Sequence, residues 1–259
     1  MKVTVLGSGT SSGIPTIGCS CDVCMSTNPH NKRLRSSIFV EKGNTRFVVD
    51  CGPDFRYQAL TYGINDIDTV LLTHAHADHT AGIDDLRAYY MIKHHPINLY
   101  GDADTIENIR ERFAYCFIPP PAHTTVPQLN LHEVIQGNSF TIGTDDKVAI
   151  MPIKIRHNSQ YILGYRIGNF AYLSDVSEIP EESLMLLKDL DVLITTALRF
   201  QKHPSHMSID EAIGISTVIN AKKTWFIHMN HDIEHETVCK ALPANMSLCY
   251  DGLTFDVND

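Results

Sequence analysis

No stretch of this 259-residue chain is apolar for long enough to cross a bilayer, and no low-complexity linker divides it. Positive charge is also short: 21 Lys and Arg face 30 Asp and Glu, a formal net charge of -9. That deficit argues against a broad nucleic-acid surface, which needs clustered cations, but not against a small anion held by metal ions. The cysteines do not pair off either. There are seven, with Cys19, Cys21 and Cys24 clustered and Cys51, Cys116, Cys239 and Cys249 scattered. An odd number with a tight cluster reads as metal binding in a reducing compartment, not as a disulfide framework. Met1-Lys2 leads straight into Val3-Thr4-Val5-Leu6, too short an apolar run for a secretory leader. These absences predict a cytoplasmic protein with no membrane contact. A hydrophobic content of 43% is that of an ordinary globular chain, and the length suits one domain spanning 1–259.

What is present is a succession of apolar strands and turns. Val3 to Leu6 reads as a first strand, followed by a glycine-bearing loop from Gly7 to Gly13. The loop departs from the dinucleotide fingerprint: its third glycine is one residue late, and Pro15 and Gly18 stand where a helix should open. A tight turn with close backbone approach to a neighbouring site is the expected role. Ser37–Val40 and Arg46–Asp50 flank Gly43-Asn44 as a hairpin. Helices are expected from Pro53 to Tyr62, Ile83 to Met91, Asp104 to Phe113 and Glu181 to Leu190. Further strands are expected at Ile97–Tyr100, Val148–Arg156, Gly164–Ile167, Phe170–Leu173, Asp191–Thr195 and Thr224–Ile227. Ser208-x-x-Glu211 has capping-box spacing for a helix running to Asn220. Phe117 to Pro127, with Pro119-Pro120-Pro121 and His123, reads as an irregular loop over a site or at a subunit contact. Hairpins first, then strands alternating with helices, imply an α/β (α+β) fold of two mixed β-sheets flanked by helices.

The densest chemistry follows the apolar run Asp68–Leu72. His74, His76, Asp78 and His79 arrive within six residues. Groups so crowded compete for protons and partners unless a cation ties them together, and a divalent metal does so. His74 and His76 can point to one ion, Asp78 and His79 to a second. His157, Asp175 and His228 also follow apolar strands, and strand ends at one rim of a sheet converge in space. A single His in such a place is usually a loop residue making an ordinary hydrogen bond; several joined to the six-residue motif point to a site. Cys19-x-Cys21-x-x-Cys24 needs a fourth ligand for a closed tetrahedral zinc. His231, three residues past His228, is the candidate, giving a structural zinc loop at about 18–31.

His74-x-His76-x-Asp78-His79 with the later His157, Asp175 and His228 resembles the metallo-β-lactamase superfamily. The resemblance covers nearly the whole chain. It implies a four-layer αβ/βα sandwich with two divalent ions, zinc or manganese, at the sheet edges. His74, His76 and His157 would hold the first ion, Asp78, His79 and His228 the second, and Asp175 would bridge them. With the cysteine cluster and His228-x-x-His231, the chain resembles in particular the branch of phosphoribosyl 1,2-cyclic phosphate phosphodiesterases. That implies hydrolysis of a small cyclic phosphodiester by water activated between ions about 3.5–4 Å apart, with a further histidine as proton donor. In His203-Pro204-Ser205-His206 the matching residue is His206, with His203 second. Asp78 would bind metal and accept a hydrogen bond from the nucleophile.

Arg199 and Lys202 are candidate anion contacts. Thr196 and Ala81 depart from the aspartate and histidine of many relatives, which bears on the pocket wall and hence the substrate. The resemblance also implies a homodimer. Rival readings are a tRNA 3′-processing nuclease, a lactonase or thioesterase, and a non-catalytic accessory protein like that of pyrroloquinoline-quinone biosynthesis. The acidic balance weighs against the first and the complete ligand set against the last.

Overall fold

Along the strand Ser37–Lys42, Ile38 and Val40 face one way and Phe39 the other, yet all three are buried. A strand apolar on both faces belongs to a sheet covered on both sides. The computed structural model, which describes residues 1–119 and 124–258, places it in such a sheet. The first sheet holds β1 (Lys2–Gly7), β2 (Ser37–Lys42), β3 (Thr45–Val49), β4 (Thr69–Leu71), β5 (Ile97–Gly101) and β6 (Leu129–Glu133). The second holds β7 (Phe140–Ile142), β8 (Val148–His157), β9 (Gln160–Ile167), β10 (Phe170–Leu173), β11 (Val192–Thr196), β12 (Lys223–Ile227) and β13 (Met246–Leu248). The last strand, β14 (Thr254–Asp256), returns to the first sheet, so the orders are β14-β1-β2-β3-β4-β5-β6 and β13-β12-β11-β10-β9-β8-β7.

Both sheets follow one plan. Antiparallel pairing joins β1 to β3 and β7 to β10; parallel pairing follows from β3 to β6 and from β10 to β13. Parallel strands need crossovers, and helices supply most of them. The helices are α1 (Asp22–Met25), between the antiparallel β1 and β2, and α2 (Phe55–Thr61), α3 (Ala77–Thr80), α4 (Arg87–Lys93), α5 (Ala103–Arg112), α6 (Glu181–Met185), α7 (Ile209–Ile219) and α8 (His235–Ala241), which lie in the crossovers. Val40, Phe47, Val49 and Leu71 of the first sheet share one buried cluster with Ile153, Ile155, Leu163 and Tyr165 of the second. Phe39, Val48 and Val70 turn outward, onto Phe55, Leu86, Tyr89 and Ile109 from the helical layer. The result is a sandwich of two mixed sheets between helices, the metallo-β-lactamase architecture.

The expected hairpins are present, and α7 carries the complete capping box between Ser208 and Glu211. The helix expected from Glu181 to Leu190 is shorter, ending at Met185 as α6 before a run of turns. The segment expected to be helical from Ile83 opens as a 3-10 turn, Ile83–Leu86, before α4. Of the irregular segment Phe117 to Pro127, Pro120, Pro121 and His123 lie outside the described residues. Among the described residues, no helix is long and apolar enough to cross a membrane.

Candidate active site

Three strand ends and one loop meet at a rim of the sandwich. β4 runs into Thr73 and His74, and α3 begins one residue after His76 and carries Asp78 and His79. β8 ends at His157, β10 leads to Asp175, and β12 leads to His228. Asp50, Asp175 and His228 all take positive φ, at 65°, 61° and 62°. Left-handed backbone is costly for a side-chain-bearing residue and collects at functional sites. Here it turns each side chain back into the rim instead of letting the strand continue.

All seven expected residues converge. Atoms of His74, His76 and His157 lie within 4.8 Å of one another, as do those of Asp78, His79, Asp175 and His228. Asp175 stands between the groups: its carboxylate is 3.9 Å from His74 Nε2, 3.4 Å from His79 Nε2 and 3.1 Å from His228 Nδ1. His206 joins from the loop before α7, its Nδ1 4.0 Å from the same carboxylate. His203 packs behind it, ring centroids 5.3 Å apart.

Hydrogen bonds fix which nitrogens are free. His157 Nδ1 meets the carbonyls of Asp175 and Ser205, both at 2.9 Å. A carbonyl can only accept, so Nδ1 carries the proton and Nε2 offers a lone pair. Thr73 Oγ1 donates to the Asp50 carboxylate and therefore accepts from His74 Nδ1 at 3.0 Å. His79 Nδ1 donates to Asp50 Oδ2 at 2.7 Å. Both His74 Nε2 and His79 Nε2 are consequently buried with no hydrogen-bond partner. His228 is held between Thr10 Oγ1 and Ser36 Oγ, each 3.1 Å from a ring nitrogen. Asp50, Thr73, Thr10 and Ser36 thus orient the cluster, and no sequence spacing marked them.

The electrostatics of the cluster suit a cation. Burial opposes ionisation of Asp175, but His228 and His79 outweigh it and hold the carboxyl well below the usual range. Burial likewise opposes a proton on His79, yet Asp175, Asp50 and Asp78 drive its pKa well up. Burial, then the charge of His79, pushes His74 well down, so it stays a neutral donor. Aimed lone pairs and buried carboxylates with too few protons among them are costly alone and are the donor set a divalent ion takes. The cluster is suited to divalent metal binding.

A second cluster lies nearby. His231 Nδ1 is 3.1 Å from Cys19 Sγ, 3.5 Å from Cys21 Sγ and 3.6 Å from Cys24 Sγ. The backbone N–H of Cys24 above all draws the Cys21 thiol down to about 7, whereas burial pushes Cys24 up. The glycine loop runs where expected: Thr10 N–H bonds Met229 O at 3.0 Å, beside His228. A Cβ on Gly9 would meet Arg33, 2.9 Å away. The candidate anion contacts Arg199 and Lys202 also make contacts within the protein. Arg199 donates to the carbonyls of Gln201 and Lys202, bracing its own loop, and Lys202 pairs with Glu211. Thr196 Oγ1 accepts from Val176 N–H, and Ala81 is exposed.

Residues 45–229 match the model of the Beta-lactamase superfamily domain. A solved structure described as a new diphosphatase from the PhnP family is 39% identical, with a TM-score of 0.90, over 98% of this chain and 96% of that one. An octanoyltransferase of Porphyromonas gingivalis is 39% identical over 98% of this chain, but the chain spans only 51% of its length. A ribonuclease Z of Mycolicibacterium gilvum is 26% identical over 63% of this chain and 60% of its own. With family model, architecture and histidine cluster in agreement, this chain belongs to the beta-lactamase superfamily and, within it, to the PhnP family.

Proposed function

We propose that the chain is a metal-dependent hydrolase of small phosphodiesters, with a cyclic ester such as phosphoribosyl 1,2-cyclic phosphate as the best-fitting substrate. The supporting observation is the joint aim of seven His and Asp side chains at one rim, with His206 as an eighth group beside them. His74, His76 and His157 would hold one divalent ion, zinc or manganese; Asp78, His79 and His228 a second; Asp175 would bridge. Cys19, Cys21, Cys24 and His231 would hold a structural zinc. Divalent ions, when bound, supply Lewis acidity: they acidify water and neutralise charge growing on phosphoryl oxygens.

Asp78 would orient the attacking water, and His206 would hand a proton to the departing alkoxide. Burial, then His228, lowers the pKa of His206 to about 3. The imidazole is therefore neutral near pH 7 in the free chain, and the acid role requires that a bound anionic phosphodiester raise its pKa. His206→Ala is expected to lower kcat on alkyl phosphodiesters about 10²–10⁴-fold at unchanged metal content. An activated aryl phosphodiester, whose leaving group needs no proton, should lose much less. Equal losses on both would remove the acid role.

The acidic balance disfavours a polyanionic RNA substrate, and cleavage of a precursor tRNA would reverse that judgement. All seven thiols are free, which suits a cytoplasmic setting. A homodimer remains part of the proposal, read from mass in solution.

A further inference from the structure

The loop after β1 runs between two other segments. Gly9 forms parallel bridges with Arg35, in the chain leading into β2, and with Met229, in the chain leaving β12. Gly9 N–H donates to Leu34 O at 2.8 Å, Thr10 N–H to Met229 O at 3.0 Å, and Met229 N–H to Ser8 O at 3.1 Å. Three stretches far apart in sequence thus lie side by side at the rim. Two of them send a hydroxyl to His228: Thr10 from the first and Ser36 from the second. Ser36 Oγ is also tied back to the loop, donating to Gly9 O at 2.9 Å.

One carboxylate fastens these two arms together. Asp251 lies in the turn between β13 and β14. Its Oδ1 accepts from Ser8 N–H at 2.8 Å and from Ser8 Oγ at 2.7 Å, and its Oδ2 accepts from Leu34 N–H at 2.7 Å. Ser8 is two residues short of Thr10, and Leu34 two short of Ser36. The carboxylate therefore acts at the base of both arms that reach the imidazole. Burial raises the Asp251 pKa to about 7, against the pull of Leu34 N–H, Ser8 and the buried Arg33. At pH 8 the group is mostly ionised, and both oxygens can only accept. Hydrogen bonds to an ionised carboxylate are the stronger kind.

We propose that Asp251 is a positioning residue for His228: by locking Ser8 to Leu34 it fixes the spacing of Thr10 and Ser36, and so the setting of the imidazole between them. The assignment rests on the two-ion reading of the site, in which His228 helps to hold the second ion. A ring already held at its working angle loses less freedom when it binds.

The test is zinc titration of the full chain at pH 8 in competition with a chromophoric chelator, which resolves successive ions by affinity. His228→Ala marks the ion that depends on that ring. An amide at position 251 offers one acceptor oxygen where the two backbone donors use two. Asp251→Asn should therefore weaken the marked ion at least about tenfold and leave the others within about twofold. Ser8→Ala removes one bond and keeps the backbone; it should weaken the same ion about threefold, and it covers the case in which Asp251→Asn fails to fold. Action through the arms has its own signature. Once Thr10→Val/Ser36→Ala has removed both hydroxyls, adding Asp251→Asn should cost less than about twofold more. Losses spread evenly over all the ions, or full additivity in the triple variant, would reduce Asp251 to general support of the fold and overturn the assignment. An ion lost in His228→Ala but held at full affinity in Asp251→Asn and Ser8→Ala removes the assignment alone. A His228→Ala chain that keeps every ion removes the two-ion reading, and the role of Asp251 with it.

Discussion

The Asp50 carboxylate decides which nitrogen of His79 carries a proton, and through Thr73 it decides the same for His74. It belongs to neither proposed ligand triad, yet the orientation of both rings depends on it. Asp50→Ala is expected to weaken metal binding about 10–100-fold, measured by competition with a chromophoric chelator. Unchanged affinity would show that packing alone fixes the two rings. Here the sequence was silent for a physical reason. Asp50-Cys51-Gly52 reads as a strand end turning, and the histidine that Asp50 orients is 29 residues away. Thr10 and Ser36 were equally unreadable, being 218 and 192 residues from His228. The candidate ligands were legible because metal chemistry needs rare residue types, and because four of them share one loop. A different histidine, His235, gives the pH dependence. It is buried with Nδ1 unpartnered, and burial, then His30, lowers its pKa from 6.5 to about 4. Below pH 6.5 the unfolded chain takes up a proton that the folded chain refuses until about pH 4, so stability held above 6.5 is lost as pH falls through that window. At pH 5.5 the share of this histidine in the loss is about 1.2 kcal/mol relative to pH 7, and His235→Phe should remove that share in urea titrations. Parallel curves for the two proteins would contradict it.

At the scale of elements, the sequence showed most clearly the pieces with strong local chemistry. The β2–β3 turn at Gly43-Asn44 and the Ser208–Glu211 capping box form from neighbours alone. The strands that escaped notice, β6, β7, β13 and β14, lie at sheet edges or ends. Three of them are three residues long, too short for a period to show, and β6 alternates only between half-buried and exposed positions. The cysteine loop is legible by ligand spacing yet has little core of its own: Ile14, Val23 and Cys24 form its whole buried cluster. So few apolar side chains give a segment little stability, so a metal is expected to hold it. Cys21→Ser should lose one tightly bound zinc per chain by elemental analysis and lower the melting temperature. Full metal content in that variant would mean that the thiols are structural without an ion.

At the scale of the whole molecule, the candidate ligands divide between the two sheets. His74, His76, Asp78 and His79 come from the first, His157, Asp175 and His228 from the second. Any ion bound by both sets is a cross-link between sheets, added to the buried apolar cluster that Leu71 shares with Ile155 and Leu163. Binding to the folded state alone stabilises it by RT ln(1 + [metal]/Kd), about 4 kcal/mol at a thousandfold excess over Kd. Stripping metal with a chelator should therefore lower the melting temperature, and excess zinc should restore it. The melting point cannot say where the stabilisation resides; hydrogen exchange can. With both sheets tied to one centre, removal should speed amide exchange together at 72–79, 157–163, 173–176 and 227–229, while β1 and β2, whose side chains are absent from the centre, stay protected. Faster exchange confined to 72–79 would mean that the loop binds metal by itself and that the meeting of the two sheets at this rim contributes nothing to holding it.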